Sequence, residues 1–443
     1  MREGKGMEDS ARDNGAVTVK EKPSLREYWK YNISAVLFGF GGSVWGGMTY
    51  YMGIPVAFLS FLNASKTQIG LVTAIFWLGF ALPQTWAAYA SEGKTIKKFY
   101  MAWAFFLTSI PWLVYGIYVL LTGTANAPFS IWFFLFCYAL ACLTVNLYIP
   151  ANYTLLFKII PTAQLGLLLG VQFTFRYGGN FLSGFASKGI QKHFEAPYGF
   201  AVIFFAAFIF SLLTALVILL LKEPEGAAVK SAPSFWEYLK KCIRIVKTDR
   251  LLVKFFVGKW LMSGHNIMMA FLLVYLIQER GFNRVDAGWF PALYGLGLAI
   301  GGSTITRIAD RYGPKYMMAT AQTFAILYTL IAWFVPSTGP WVFFAAFVVT
   351  GLAQISDNVG YTNMCLFCCP TLDKSTYVAV TNMGIIPFMA LLPIIFGKLM
   401  DMNKMTFQGV FTVALCMMVT AIVYLLFVLD NPKSYCDMKK VSK

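Results

Sequence analysis

Charged side chains are scarce in this chain of 443 residues. Asp, Glu, Lys and Arg together make up 13% of it, whereas hydrophobic residues make up 58%. A soluble domain of this length needs more polar side chains than that to cover its surface. The scarcity of charge therefore excludes an ordinary soluble protein and indicates a chain built mainly of membrane-spanning helices.

Histidine is rarer still, and the cysteines lack the spacing of a metal site. The chain has two histidines and eight cysteines, and every cysteine falls in a predicted membrane span or on the predicted cytosolic side. The cluster Cys365, Cys368 and Cys369 has no second cluster nearby, so it is interpreted as the small apolar end of a helix. With no nucleophile–base motif or phosphate-binding loop, we expect no enzymatic activity, no cofactor and no bound metal.

Apolar runs long enough to cross a bilayer are abundant, and we predict twelve membrane spans. They fall near residues 32–60, 69–89, 99–121, 128–156, 165–187, 200–221, 252–277, 286–306, 316–335, 340–366, 375–399 and 407–428.

The basic residues orient these spans. With a cytosolic N-terminus, 26 of the 36 Lys and Arg residues lie in cytosolic segments and 7 in outer loops. Because such a bias marks the cytosolic side, we predict a multi-pass protein of the cell membrane with both termini in the cytosol. The net charge of +16 then reflects topology, and no nucleic-acid partner is expected.

The two halves of the chain carry weak internal repeats. At a constant offset of 218 residues and without gaps, the run ending in Glu92 aligns with the run ending in Asp310. The matched pairs are Gly70 with Gly288, Gly79 with Gly297, Ala81 with Ala299, and Lys97 with Lys315. Related halves, each with an acidic-basic hairpin between two spans, are typical of secondary transporters.

The repeat predicts five segments along the chain. They are a cytosolic tail at 1–30, a six-helix bundle at 31–221, a linker at 222–251, a second six-helix bundle at 252–429 and a cytosolic tail at 430–443. In the linker, Ser234 and Glu237 form a capping box before an apolar stripe that lies beside basic residues. This pattern predicts an amphipathic helix on the membrane face.

The hairpin between spans eight and nine reads Asp310-Arg311-Tyr312-Gly313-Pro314-Lys315. Together with twelve spans, a six-plus-six repeat and a basic linker, it resembles the major facilitator superfamily over about residues 30–430. In that family the loop carries Asp-Arg-x-Gly followed by basic residues, which Asp310, Arg311, Gly313 and Lys315 match. The resemblance implies an all-α integral membrane fold of twelve transmembrane helices in two six-helix bundles, the MFS fold.

The resemblance also suggests a gate at the hairpin. A carboxylate at a helix end can pair with a basic group or meet the N-terminus of a facing helix, and Gly313 permits a tight turn. Candidate gating residues are Asp310, Arg311, Gly313, Lys315 and, in the first-half copy, Glu92. That copy has Gly93 where the family has arginine, so the charged contact that would hold the gate closed is predicted to be weak there. The alternative is a positive-inside hairpin with no gating role.

Among the 20 acidic residues, Asp357 alone lies well inside a predicted span. Lys259 enters span seven to a similar depth at about 1.5 Å per residue, so a Lys259–Asp357 pair is expected. Ionisable groups inside a membrane are costly and mark cavities or charged partners. The pair could couple transport to protons, serve only to hold the structure, or do both.

Arg176 lies in the middle of span five, on one helix face with Gln172 and Asn180. No acid lies deep in the first six spans to neutralise it, so we expect contact with an anionic or polyhydroxylated solute. The alternatives are an arginine that caps carbonyl groups or one that pairs with Asp357 across the halves. The other candidate substrate-binding residues are His265, Asn266, Gln354, Asn358, Asn146 and Trp45.

These residues predict a secondary active or facilitative transporter that moves a small polar solute, an organic anion or a sugar-type compound, by alternating access. Proton coupling would run through Asp357, and the expected partners are the solute, protons and the lipid bilayer, with the protein a monomer. A multidrug efflux antiporter is one alternative, although span five lacks the Gly-Pro stretch of that group. A non-transporting receptor or assembly protein on the same fold is the other, and the loss of arginine at Gly93 favours it.

Overall fold

The computed structural model describes residues 42, 44–51, 53–92, 94–159, 165–221, 223, 234–305, 307–334, 341–368 and 374–432. All regular structure in this part of the chain is helical. We call the residues before the linker the first half and those after it the second half.

The first half begins, in its described part, with a short helical stretch at 44–49. The helices that follow are α1 (Ile54–Phe61), α2 (Lys66–Glu92), α3 (Lys98–Thr122), α4 (Ala127–Val145), α5 (Tyr148–Ile159), α6 (Leu165–His193) and α7 (Tyr198–Leu220). Pro55 in the first turn of α1 starts that helix just after a turn in which the Gly53 amide donates to the Tyr50 carbonyl at 3.0 Å, so predicted span one is interrupted there. Span four is likewise divided into α4 and α5.

The linker and second half contain α8 (Phe235–Thr248), α9 (Arg250–Glu279), a 3-10 turn at Arg284–Gly288, α10 (Trp289–Thr304), α11 (Arg307–Tyr312), α12 (Pro314–Phe334), α13 (Trp341–Cys368), α14 (Lys374–Asp401) and α15 (Phe407–Phe427). The Asp249 carboxylate accepts a hydrogen bond from the Leu252 amide at 3.0 Å and so caps α9. Helix α9 is central, because 83% of its apolar window is buried, against 33% for α15.

Nine segments of the described chain are long and apolar enough to cross a membrane. They coincide with predicted spans two, three, four, six, seven, nine, ten, eleven and twelve. Predicted spans one, five and eight do not meet this criterion within the described residues, and residues 32–41 of span one lie outside them. The count of twelve spans therefore stays a prediction, as do the five segment boundaries.

Helices α2 and α14 pack lengthwise against each other and form the first of two seams between the halves. Glycines bring the two backbones into contact there. A Cβ on Gly70 would lie 2.4 Å from the Pro393 carbonyl oxygen, and one on Gly397 would lie 2.5 Å from that of Lys66. Small residues allow such close approach in membrane helices, where packing rather than water drives association.

The end of this first seam that is predicted to face outward is held by Asp401 at the last turn of α14. Its carboxylate accepts hydrogen bonds from the backbone amides of Lys66 and Thr67, each at 2.8 Å, and from the Thr67 hydroxyl at 2.5 Å. A carboxylate from the second half thus caps the N-terminus of α2 in the first half.

Helices α6 and α10 form the second seam. A Cβ on Gly184 would lie 2.5 Å from the Ala292 amide nitrogen, so these backbones also touch. The Lys188 ammonium pairs with Asp286 at 3.0 Å near the outward-facing end. In the described residues, both seams are therefore closed by polar contacts at the side predicted to be outer.

Candidate functional site

A buried ion pair lies at the centre of the second half. The Lys259 ammonium on α9 donates to both carboxylate oxygens of Asp357 on α13, at 2.7 and 2.8 Å. The two residues are 2% and 7% exposed. The contact expected from their depths in the sequence is present. Since a single charge buried in hydrocarbon is strongly unfavourable, each residue supplies the counter-charge that the other needs.

The polar face of α13 extends the pair in both directions. Gln354, Asp357, Asn358 and Tyr361 follow helical spacing and share one face. Gln354 donates from its side-chain amide to the side-chain oxygen of Asn358 at 3.0 Å, and Asn358 is exposed. Because an amide exposed to lipid is unfavourable, we interpret this face as bordering an aqueous space.

His265 lies one and a half turns beyond Lys259 on α9. Its Nδ1 lies 3.1 Å from the Tyr328 hydroxyl, and its ring interacts with the side chain of Gln354 on α13. The imidazole and the amide can each donate and accept a hydrogen bond, and both lie close to the ion pair. Asn266 is also buried beside them.

Three further polar residues connect the ion pair to the first half. The Lys259 ammonium lies 5.3 Å from the centre of the Tyr361 ring, and the Tyr361 hydroxyl donates to the side-chain oxygen of Asn382 on α14. Asn382 in turn donates to the side-chain oxygen of Gln84 on α2 at 2.9 Å. The sequence analysis did not select Tyr361, Asn382 or Gln84. The sequence offered one signal for Asn382 and Gln84, since each is an amide side chain in a mainly apolar run.

Aromatic side chains at the break in span one reach the second half as well. Tyr50 stacks on Tyr294 of α10 with ring centres 5.2 Å apart, and the Tyr294 hydroxyl donates to that of Tyr50 at 3.2 Å. Tyr51 is fully buried against Phe76 and Trp77 of α2. These rings form one wall between the halves.

Comparison with known proteins assigns the family. The family model of the Major Facilitator Superfamily matches residues 33–385 and 262–437. The chain belongs to the Major Facilitator Superfamily.

Solved transporters have similar structures. The nucleoside transporter NupG superposes with a TM-score of 0.61 at 14% identity, over 93% of this chain and 99% of that one. A D-xylose–proton symporter gives 0.66 at 15% identity, over 91% and 99%. The E. coli fucose:proton symporter FucP gives 0.57 at 15% identity, over 91% and 98%. At these identities the likeness shows the fold alone, while no curated protein matches the sequence.

Membership of the superfamily confirms the predicted all-α, multi-pass membrane fold and the prediction that the chain is a transporter rather than an enzyme. The solute, the coupling ion and the orientation in the membrane stay predictions.

The candidate substrate-binding residues in the first half of this superfamily member have different surroundings. Trp45 lies edge-on to Phe105 at 6.3 Å, and its indole nitrogen is buried without a partner in the described residues. Asn146 donates to the Cys142 carbonyl of its own helix at 2.7 Å, so this donor is occupied locally. Asn180 is half-buried near Gly47. The side chains of Gln172 and Arg176 lie outside the described residues, so their role stays a prediction.

The superfamily hairpin packs within its own half. The Lys315 ammonium donates to the carbonyls of Leu426 and Leu429 at 3.1 and 3.2 Å, which places its charge at the C-terminus of α15. Gly313 has φ +108 and lies against Asn431, where a side chain would collide. These contacts give Lys315 and Gly313 a structural part.

The other predicted gating residues supply less information. Arg311 is exposed, and the side chains of Asp310 and Glu92 lie outside the described residues. Beside the hairpin, Asp430 pairs with Lys254 at 2.9 Å, and the hydrogen bond and charge of Lys254 lower the pKa of that carboxyl. A gating function of the hairpin stays a prediction.

Proposed function

We propose that this chain is a proton-coupled secondary transporter of a small, polyhydroxylated, sugar-type solute, with Lys259 and Asp357 as its coupling pair. The observation that carries the proposal is the buried ion pair on a helix face that also presents an exposed amide, Asn358. A transporter needs a group that can change charge inside the membrane and remain accessible to water in one state.

The surroundings of the pair favour an uncharged hydroxylated solute. The ion pair compensates its own charge, and the neighbouring side chains of His265 and Gln354 supply an imidazole and an amide that can bind hydroxyl groups, with no further fixed charge. Trp45 and Tyr50 add apolar faces of the kind that pack against sugar rings. The similarity to nucleoside, xylose and fucose transporters supports this class. An organic anion remains the alternative through Arg176.

Coupling follows from the chemistry of the pair. A proton from the aqueous space binds one oxygen of the Asp357 carboxylate, neutralises it and converts that oxygen from acceptor to donor. The Lys259 ammonium then lacks a counter-charge in a buried position, which favours conformations where water or solute oxygens reach it. Release of the proton on the other side restores the pair.

Alternating access would occur by rocking of the two halves about the two seams. We place the moving bodies at the predicted bundles, 31–221 and 252–429, joined by the linker at 222–251. The contacts at the outward-facing ends, Asp401 with α2 and Lys188 with Asp286, support an outer side that is closed in the described conformation. The protein would act as a monomer in the cell membrane.

The test starts with thermal unfolding of purified protein against sugars, nucleosides and carboxylates. A specific solute raises the unfolding temperature by mass action, and the class that does so identifies the substrate. Uptake of that solute into proteoliposomes follows, with an imposed gradient of about one pH unit, which can drive about tenfold accumulation at one proton per solute. We expect Asp357→Asn combined with Lys259→Gln to abolish accumulation and to spare downhill exchange.

Thr350→Val is the matched control, because Thr350 is buried in α13 and its hydroxyl donates to the Ala346 carbonyl of its own helix at 2.8 Å. It should accumulate solute normally. Accumulation by the double neutral variant would refute Asp357 as coupling site. Stabilisation by carboxylates alone would replace the sugar-type solute with an anion, and absence of both binding and uptake would favour a non-transporting protein.

A further inference from the structure

A polar path joins the ion pair to the first half in the described structure. It runs from Lys259 over the Tyr361 ring, through the Tyr361 hydroxyl to Asn382, and across the first seam to Gln84. Lys259, Asn382 and Gln84 are 2%, 6% and 5% exposed, so water competes little for these hydrogen bonds. The last link joins Asn382 to Gln84, which are 298 positions apart in sequence and lie in different halves.

Each link constrains the next. The side-chain oxygen of Asn382 accepts from the Tyr361 hydroxyl and its amide nitrogen donates to Gln84, so Asn382 bridges the two residues. The Tyr361 ring is in turn attracted by the Lys259 ammonium, an interaction that is strengthened when the cation is desolvated. The ion pair therefore fixes, through Tyr361, the geometry in which Asn382 bonds to the first half.

The two ends of the first seam differ in this respect. At its outward end Asp401 caps α2 directly through the amides of Lys66 and Thr67, with no link to the ion pair in the described contacts. Gln84 lies 17 residues further along α2, about 25 Å away at the helical rise. Only this inner position connects to Lys259 through the path described above.

We propose that Tyr361, Asn382 and Gln84 are positioning residues that relay the state of the Lys259–Asp357 pair to the inner part of the α2–α14 seam. When Asp357 loses its charge, Lys259 leaves its place above Tyr361, the hydroxyl no longer orients Asn382, and the bond to Gln84 weakens. The inner seam then opens while Asp401 holds the outer end. The inference rests on the proposed transport function, but its test requires neither solute nor gradient.

The test is a double-mutant cycle read out by hydrogen–deuterium exchange of the purified protein. The backbone amides of residues 80–92 and 380–388 report the inner seam, and those of 66–76 report the outer one. We expect the neutral pair Lys259→Gln/Asp357→Asn and, separately, Tyr361→Phe each to speed inner exchange about two- to tenfold, the range for loss of one hydrogen bond. Outer exchange should be unchanged.

The variant that carries both the neutral pair and Tyr361→Phe distinguishes a relay from independent contacts. If the residues act as a relay, adding Tyr361→Phe to the neutral pair produces no further increase, because the link is already lost. Additive increases, or no change on neutralising the pair, would overturn the relay. Gln84→Leu removes the far end of the path. In a second cycle with the neutral pair, it should behave as Tyr361→Phe does.

Tyr115→Phe is the matched control for the loss of a buried tyrosine hydroxyl, since Tyr115 donates to Ser130 within the first half. It should leave inner-seam exchange as in the parent protein and add independently to the neutral pair. The outcomes also separate the two proposals. Additive exchange with lost proton-driven accumulation would refute the relay alone, whereas coupled exchange with intact accumulation would refute the coupling role of Asp357 alone.

Discussion

The two halves of this transporter bury different kinds of side chain. The centre of the first half is aromatic: Trp112 stacks on Phe204 at 5.6 Å, and Tyr115 and Phe134 pack beside them at 5.5 and 5.8 Å from the Phe204 ring. The centre of the second half holds the Lys259–Asp357 pair with its polar neighbours. Aromatic packing fixes one arrangement, whereas an ion pair can be made or broken by a proton.

This difference suggests that the two halves have different roles in transport. Among the side chains described in the first-half helices, charged ones lie near helix ends, as Lys66 and Lys188 do. The second half carries its charge in the middle of α9 and α13. We expect the first half to move as a rigid body and the second half to respond to protonation.

The largest effect should follow from Asp357→Asn alone. This change leaves the Lys259 ammonium buried without its counter-charge, which costs about 3–5 kcal/mol of unfolding free energy. Thermal unfolding in detergent measures the loss, and adding Lys259→Gln should recover most of it. If the single variant is as stable as the parent protein, Lys259 must have another counter-charge, and the contrast between the halves would be weaker than described.

A loss of comparable size, but of a different kind, is expected from Trp112→Ala in the first half. Truncation of this buried ring leaves a cavity and should lower stability by about 3–5 kcal/mol. Below its unfolding temperature, the surviving protein should retain the parental ratio of accumulated to external solute under a pH gradient. A changed ratio would show that packing in the first half also sets coupling.

A smaller effect is expected where the halves meet. Asp401→Ala removes the acceptor of the Lys66 and Thr67 amides, and loss of such a cap costs about 0.5–2 kcal/mol. Exchange of the amides at 66–70 should therefore accelerate about two- to thirtyfold, with the inner seam unaffected. Lys188→Gln is the control, since Lys188 contacts Asp286 and Trp289 at the second seam, and it should leave exchange at 66–70 unchanged. Equal acceleration at both ends of the first seam would contradict independent outer and inner ends.

Much of this arrangement could be predicted from the sequence. Apolar runs gave the positions of the spans, since the bilayer requires about 20 apolar residues for each helix. The depths of Lys259 and Asp357 in their spans predicted their contact, because a buried charge needs a partner. The breaks within spans one and four were not predicted, since their apolar runs continue through them.

The path through Tyr361, Asn382 and Gln84 could not be predicted in the same way. It depends on the rotation of α2 and α14 about their axes, which apolar runs of low polarity leave undetermined. Lys315 shows the same limit. Its place in a family motif suggested a gate, whereas its distance to the carbonyls at the end of α15 depends on how the last helix packs.

The central claim is that Asp357 exchanges a proton during transport. The most direct measurement records protons taken up when solute binds to detergent-solubilised protein, with a pH-indicator dye in weakly buffered solution. The account predicts about one proton per bound solute for the parent protein and Thr350→Val, and none for Lys259→Gln/Asp357→Asn. Undiminished proton uptake by the double variant, at unchanged solute binding, would contradict it.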